Sequence, residues 1–456
     1  MAKVIDQEQI GDILKETKNP SFSETYAVIT KAEEKKGLSQ KDTAVLLNCQ
    51  DEKIIKNIFD LAKKIKNDIY GERLVLFAPL YVSNACNNNC LYCGFRQDNK
   101  NFKRTTLNFE EIEQEVRMLE SRGHKRVLLV SGEAVGFDYL QKAIKTVYQT
   151  KNGTGEIRRV NVNCAPLTAD EFKELKKCGI GTYQLFQETY HRPTYTKMHP
   201  SGPKADYNNR ISAIDRAIAA GIDDVGIGVL FGLYDYRFEI LGLLSHIAHL
   251  EKNFGIGPHT ISVPRLEPAA GSVVSVKPPY PVSDQELKKI VAILRLAVPY
   301  TGIILSTREN KELRNELFSF GVSQISAGSS TQPGGYSKEK GLEQFSLSDK
   351  RSMSEVIIDV LKLGYLPSFC TACYRLGRTG EDFMAFAKKG EIHKFCLPNC
   401  LLTFSEYLTD YATKEEKILG DKVIREQMEF IPLTSLRRKI EHKLDLVQSG
   451  KRDLYF

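Results

Sequence analysis

The sequence contains no tryptophan, which by itself decides nothing. Its other scarcities exclude more. Ten cysteines among 456 residues are about 2%, far below the density of a disulfide-stapled secreted scaffold. No window approaches the roughly 18 uninterrupted apolar residues of a membrane span. The opening Met1-Ala2-Lys3-Val4-Ile5-Asp6-Gln7-Glu8 carries no apolar stretch after its first basic residue, so no secretory signal is expected. Lys and Arg number 64 against 57 Asp and Glu; spread over this length, the +7 excess is too weak to argue for a nucleic-acid partner. Hydrophobic residues at 42% and charged residues at 27% are ordinary for a soluble globular chain, which excludes disorder and collagen-like structure. A cytoplasmic location with reduced thiols is expected. Clustered cysteines there are metal ligands or catalysts before they are disulfides.

At ~150 residues per domain the length suggests about three units, or one large barrel with additions. Residues 1–72 read as helices, with Ile54, Ile58, Leu61 and Ala62 at near-helical spacing among Lys and Asp. From Leu74 onward, short apolar runs alternate with amphipathic stretches. The runs are 74–83, 126–131, 158–163, 181–187, 224–230, 259–265, 302–307 and 322–327. Asn108-x-x-Glu111, Thr168-x-x-Glu171 and Ser283-x-x-Glu286 read as capping boxes, and Gly123 and Gly179 as helix stops. Eight strands alternating with helices over ~250 residues predict an α/β fold, a parallel (β/α)8 TIM-type barrel. An open doubly wound sheet is the alternative, because strand order is not readable. In a barrel the site is built where strands end and loops begin. Residues 328–335 are rich in Gly, Ser and Pro and read as a boundary. The expected division is a helical extension over 1–72, the barrel over 73–335, and a mainly helical unit over 336–456, with helices near 355–363, 423–430 and 436–447.

Cys86-x3-Cys90-x2-Cys93 directly follows the first candidate strand. Three thiolates this close can converge on one centre, and soft ligands select zinc or iron–sulfur clusters. Structural zinc wants four ligands, and no fourth Cys or His lies near. A 4Fe-4S cluster held by three cysteines would leave one iron open; zinc completed from afar is the other reading. The motif, with Tyr92 before its last cysteine, resembles the radical S-adenosylmethionine (SAM) superfamily. That resemblance implies an open iron that chelates the amino and carboxylate groups of SAM. An electron from the cluster then cleaves SAM to methionine and a 5′-deoxyadenosyl radical, which abstracts hydrogen. Ser131-Gly132-Glu133 is similar to the family's GGE motif on the SAM amino group, with Ser131 replacing the first Gly. Asn161 and Asn163 end the third strand. Gly226-x-Gly228, with Gly232, resembles the adenine-side glycine segment; barrel packing is the plain alternative.

Cys370-x2-Cys373 is followed by Cys396 and Cys400, which imply a second centre; a four-cysteine zinc site is the alternative. The surrounding words tip the balance. Ser368-Phe369-Cys370-Thr371-Ala372-Cys373-Tyr374-Arg375, Phe395-Cys396-Leu397-Pro398-Asn399 and Gly181-Thr182-Tyr183-Gln184 closely resemble the tyrosine lyases of FeFe-hydrogenase maturation. So do Glu406-Tyr407-Leu408 and Gly232-Leu233-Tyr234-Asp235-Tyr236-Arg237. In that family Cys370, Cys373 and Cys396 would hold a second 4Fe-4S cluster bridged to an extra iron. His259, on its own an ordinary core or surface histidine, matches the family's iron-binding histidine. The iron's remaining ligands would be carboxylate, water or free cysteine. Cys400 stands where Ala is expected, as an inert core thiol or a substitute ligand. Cys49, Cys164 and Cys178 read as core thiols.

An amino-acid substrate needs its carboxylate held. Arg308, after the seventh candidate strand, and Ser326, near the end of the eighth, are placed for this, as in related aromatic-amino-acid lyases. A surface ion pair with Glu309 or Glu312 is the alternative for Arg308. The resemblance implies hydrogen abstraction from the amino group of L-tyrosine and Cα–Cβ cleavage to p-cresol and dehydroglycine. Dehydroglycine would break down to CO and cyanide on the extra iron, giving an iron carbonyl–cyanide unit for the hydrogenase H-cluster. The implied partners are L-tyrosine, a ferredoxin or flavodoxin as electron donor, and other hydrogenase maturation proteins. The tyrosine lyase of thiazole biosynthesis is an alternative that would lack the C-terminal cysteine triad. An iron–sulfur or zinc-binding scaffold is another, and it leaves the placement of Cys86, Cys90 and Cys93 unexplained.

Overall fold

The computed structural model describes residues 4–338, 341–390, 392–432 and 434–456, so the first three residues of the N-terminal reading lie outside it. Eight parallel strands follow one another in space: β1 (Arg73–Ser83), β2 (Arg126–Ser131), β3 (Arg159–Asn163), β4 (Tyr183–Gln184), β5 (Val225–Gly228), β6 (Thr260–Ser262), β7 (Gly302–Leu305) and β8 (Val322–Ser326). β1 pairs with β2 on one side and with β8 on the other, with Val75 opposite Gln324 and Phe77 opposite Ser326. That last pairing closes the sheet, so the barrel is formed and the open sheet is not. Residues 74–83 are all buried. Strands covered on both faces read as continuous apolar runs, which is why the barrel was visible in the sequence.

The expected run 181–187 is strand only at Tyr183–Gln184. Beyond it the chain leaves the sheet, and Glu188 adopts a left-handed φ of 69°. The departure turns Phe186 and Glu188 toward the mouth of the barrel, where both line a cavity. All three expected capping boxes are present. At the first, Asn108 Oδ1 accepts from the Glu111 N–H and the Glu111 carboxylate accepts from the Asn108 N–H, both at 2.8 Å. Such caps contribute ~1 kcal/mol each.

Four helices lead in: α1 (Gln7–Glu16), α2 (Phe22–Ala32), α3 (Gln40–Asn48) and α4 (Glu52–Tyr70). α4 buries Ile54, Ile58, Leu61, Ile65 and Ile69 along one stripe, against helices Asp284–Ala297 and Lys311–Phe320 of the barrel. At the other end of the chain, β9 (Leu366–Ser368) pairs with the start of β1 at Arg73, Leu74 and Val75. Helices Met353–Lys362 and Ser435–Gln448 lie where the sequence places them, whereas Lys414–Glu429 starts well before the expected 423–430. Helix His393–Asp410 goes beyond that expectation. It contains Pro398 and is buried nearly all round from Pro398 to Leu408, so it shows no 3.6-residue stripe. A contiguous apolar core runs from Ile10 and Ile54 through Leu76 and Ile261 to Leu401 and Phe404. Among the described residues no helix is long and apolar enough to cross a membrane.

Candidate active site and second thiol centre

The C-terminal ends of the strands surround a cavity of about 210 Å³. Its wall brings together Cys86, Cys90, Tyr92 and Cys93 from the loop after β1, Gly132 and Glu133 after β2, Asn163 of β3, Arg308 after β7 and Ser326 of β8. The cysteine loop is held by Arg104. Its Nη1 donates to the carbonyls of Asn84 (3.0 Å) and Phe95 (2.9 Å), and its Nη2 to those of Arg96 (2.6 Å) and Asn99 (3.1 Å). A planar, five-donor guanidinium can satisfy several loop carbonyls at once. The loop backbone crosses directly over Gly132, where a Cβ would lie 2.2 Å from the Ala85 carbonyl oxygen. Only glycine permits that approach.

Glu133 accepts from Asn88 Nδ2 at 2.8 Å and from Arg210 Nη1 at 2.9 Å. Lys204 Nζ donates to Glu188 at 2.7 Å, and Arg210 also reaches Glu188 at 3.9 Å. Burial works to raise the Glu133 carboxyl, but the Arg210 and Lys204 charges outweigh it and hold it below the usual range. It is therefore an ionised acceptor in the cavity wall, fit for an ammonium group. Burial pushes the Cys90 thiol up to about 12 and raises Cys93 as well. These thiols ionise only when a metal replaces the proton. Asn88 Nδ2 points at Cys86 Sγ (3.7 Å) and Gln344 Nε2 at Cys93 Sγ (3.5 Å), as donors toward developing thiolates. The Ser131 hydroxyl is buried in the wall with no hydrogen-bond partner among the described residues. The donor set thus fits a cysteine-ligated cluster with a polar ligand beside it. Among the described residues no three His, Cys, Asp or Glu side chains crowd one point closely enough for a single ion. Thiolates of a multi-iron cluster bind different irons and stand further apart.

The Tyr92 hydroxyl meets His199 Nε2 at 2.8 Å and presents its ring to the cavity. Asn163 Nδ2 donates to the Gln184 carbonyl at 2.9 Å. Gly226 and Gly228 do not reach the cavity wall. A Cβ on Gly226 would meet Thr260 Oγ1 at 2.6 Å, and one on Gly228 would meet Phe186 Cδ1 at 2.8 Å. Their smallness makes room for Gln184 and Phe186, which do line it. The structure also decides the alternative for Arg308. Glu309 turns to Arg265, which grips both its oxygens, and Glu312 is exposed. Arg308 has its guanidinium 3.3 Å from the Phe345 ring centroid and a 3.3 Å hydrogen bond to the Arg265 carbonyl, with no carboxylate partner among the described residues. Desolvation lowers its pKa, and the more distant charges of Glu188, Glu267 and Glu309 offset this only in part. Ser326 Oγ accepts from the Thr307 N–H at 3.1 Å, leaving its hydroxyl hydrogen to donate.

A second cavity, about 50 Å³, lies at the N-terminal end of the barrel, lined by Cys370, Cys373, Cys396 and His259 with Arg73 and Arg126. The inward residues of β1 connect the two: Arg73 and Val75 line the second cavity, Phe77, Pro79 and Tyr81 the first. Eight residues at ~3.3 Å each separate Arg73 from Tyr81 by roughly 26 Å. Burial pushes the Cys373 thiol up to about 12 and raises Cys370. Burial also depresses His259, which stays neutral with a lone pair to offer; its ring lies 4.2 Å from Phe383 and Nδ1 3.8 Å from Asp224. Among the described residues the buried Nε atoms of Arg73 and Arg126 have no hydrogen-bond partner, while Arg126 Nη2 donates to the Cys370 carbonyl at 2.8 Å, so two cations line the cavity beside three potential thiolates. Cys400 does not reach this cavity. Its thiol donates to the Pro367 carbonyl at 3.4 Å inside the core, which removes the fourth ligand of a four-cysteine zinc site. Cys49 and Cys164 are buried in the core, but Cys178, expected there too, is only half-buried at its edge.

Sequence reasoning missed Arg73, Arg126, Asn88, Glu188, Lys204, Arg210 and Gln344. Arg73 and Arg126 carried a signal, a charge opening an otherwise apolar strand. Lys204 and Arg210 lie in a 3-10 turn (Pro203–Ala205) and a five-residue helix (Tyr207–Ile211), where no spacing marks them.

Residues 80–244 match the Radical SAM superfamily model and residues 262–366 that of the Biotin and Thiamin Synthesis associated domain. A 2-iminoacetate synthase of Salmonella typhimurium is 32% identical over 362 residues, covering 78% of this chain and 93% of that one. A crystal structure of HydG, described as a maturase of the FeFe-hydrogenase, superposes with a TM-score of 0.97 at 52% identity, over 100% of both chains. The HydG maturase of Carboxydothermus hydrogenoformans gives 0.85 at 43% identity, over 96% of this chain and 97% of that one. The chain is a radical SAM enzyme, and it belongs to the HydG family of FeFe-hydrogenase maturases.

Proposed function

We propose that this enzyme cleaves L-tyrosine to p-cresol and dehydroglycine, and converts the latter to CO and cyanide on an iron destined for the hydrogenase H-cluster. The observation that carries the reading is Arg308, a half-buried cation with no direct carboxylate partner among the described residues, in the same cavity as Cys86, Cys90, Cys93 and Glu133. It is poised to grip an amino-acid carboxylate, with the Ser326 hydroxyl as second donor. Glu133, kept ionised by Arg210 and Lys204, would accept from the amino group of SAM. When bound, the cluster and SAM supply the hydrogen-abstracting radical. The apolar wall of Phe77, Leu128 and Phe186 excludes water from it.

At the other cavity, Cys370, Cys373 and Cys396 would hold a second 4Fe-4S cluster, and neutral His259 would ligate the extra iron, with free cysteine among its remaining ligands. Arg73 and Arg126 would offset the thiolate charge. The barrel interior between the cavities keeps dehydroglycine from bulk water. A ferredoxin or flavodoxin would deliver the electron, and other hydrogenase maturation proteins would receive the iron unit.

Anaerobic incubation of the reconstituted protein with SAM, dithionite and tyrosine tests the reading. The expected products are p-cresol, cyanide and CO together. p-Cresol without CO or cyanide would make the enzyme a 2-iminoacetate synthase in kind, and bound zinc with no SAM cleavage would refute the reading altogether.

A further inference from the structure

Above the first cysteine loop the surface combines exposed valines with a one-sided charge. Helix Val273–Val276 presents Val273 (82% exposed) and Val276 (67%) outward, three residues apart and so on one face. Its inner residue, Val274, packs on the apolar cluster that contains Cys90, Tyr92 and Leu91. Three segments meet here. Ser272 Oγ donates to the Leu91 carbonyl at 2.7 Å, and the Leu91 N–H donates to the Met198 carbonyl at 3.0 Å. Arg96 Nη2 donates to the Gly271 carbonyl at 2.8 Å, and Asn99 Nδ2 to that of Ala270 at 2.7 Å. Along these segments the outer side chains include Arg96, Lys100, Lys103, Lys197 and Lys277 against the acids Asp98 and Glu267. The chain as a whole is close to balanced, 64 cations to 57 anions, so the cationic excess along these segments is local.

We propose that this face docks an acidic, low-potential one-electron carrier protein. The inference rests on the radical SAM reading, which requires an electron at the cluster that Cys86, Cys90 and Cys93 would hold. The valines supply the dry centre of a contact, and the surrounding cations steer an acidic partner onto it and fix its orientation. The path inward is packed: Val274 and Leu91 both sit against the apolar cluster that contains Cys90. In the step itself one electron leaves the carrier, which is oxidised, and enters the cluster, which is reduced; no bond is made or broken and no proton moves.

The test measures binding of an acidic bacterial ferredoxin to the reconstituted enzyme by titration calorimetry at two salt concentrations. Wild-type affinity should fall steeply with salt, since exposed charges are screened within a Debye length of about 8 Å at physiological ionic strength. The Lys100→Glu/Lys277→Glu variant should bind at least tenfold more weakly at low salt, and Val276→Ser severalfold more weakly. Lys63→Glu, an exposed cation on α4, should bind as wild type. SAM cleavage driven by dithionite should be the same in all four proteins, which shows that the variants are folded and charged with cluster. Undiminished ferredoxin affinity in the double variant overturns the proposal. Failure of the tyrosine reading would appear separately, as dithionite-driven SAM cleavage without p-cresol while the binding differences persist.

Discussion

A largely desolvated guanidinium with no direct carboxylate partner is costly unless a ligand supplies one. That cost makes Arg308 the most informative single residue in the upper cavity. A charge-assisted hydrogen bond is worth about 1.5–3 kcal/mol. Arg308→Gln should therefore raise the KM for tyrosine by roughly 10- to 150-fold in the p-cresol assay. Arg308→Lys should recover part of this, and SAM binding should be unchanged; an unaltered KM would remove Arg308 from substrate binding. Glu239 makes a different prediction. Burial lifts its carboxyl from the ordinary 4.5 to about 8, outweighing the donors Thr189 Oγ1 and the Tyr190 N–H that favour its ionised form. The folded state thus holds a proton that the unfolded chain releases near 4.5. The associated stability is present below that pH and is lost as pH rises toward 8. Glu239→Gln should flatten this part of the stability–pH curve in chemical denaturation; an unchanged slope would show that Glu239 titrates normally. Because Glu239 clamps the residues next to Glu188, it supports the Lys204–Glu188 pair of the cavity.

Among the elements, the turn after β2 and the cysteine loop after β1 form one unit, pressed together at Gly132 and pinned by Arg104. Gly132→Ala would put a Cβ 2.2 Å from the Ala85 carbonyl and force the loop away. The variant should lose SAM binding in equilibrium dialysis while keeping its fold by circular dichroism; wild-type SAM affinity would contradict the contact. The same elements explain what could be read beforehand. β1 and β2 announced themselves because strands buried on both faces are apolar throughout. The capping boxes announced the helices because their chemistry is local. Two-residue β4 was overextended, since apolar Leu185 and Phe186 continue the pattern after the backbone has turned out to the cavity. Helix His393–Asp410 was hidden by Pro398 and by its burial on nearly every side. In the site, thiols at fixed spacing and residues at strand ends were legible. Lys204 and Arg210 were not, because a charge from a short segment acquires meaning only through what it meets in three dimensions.

On the scale of the whole molecule, ten cysteines sort by position. Three line the upper mouth of the barrel, three the lower, Cys400 with Cys49 and Cys164 is core, and Cys178 is half-buried at the edge of the core. The β1 spine, with its inward residues running from Arg73 to Tyr81, joins the two mouths through one packed body. The central claim is a division of labour: carbon–carbon cleavage at the upper cavity, CO and cyanide formation at the lower. The most direct test measures p-cresol and CO from the same anaerobic reaction in wild type, Cys86→Ala and Cys370→Ala/Cys373→Ala. The account predicts neither product from Cys86→Ala, and p-cresol without CO from the lower-cavity variant. CO that persists in that variant, or p-cresol that disappears along with it, would contradict the division.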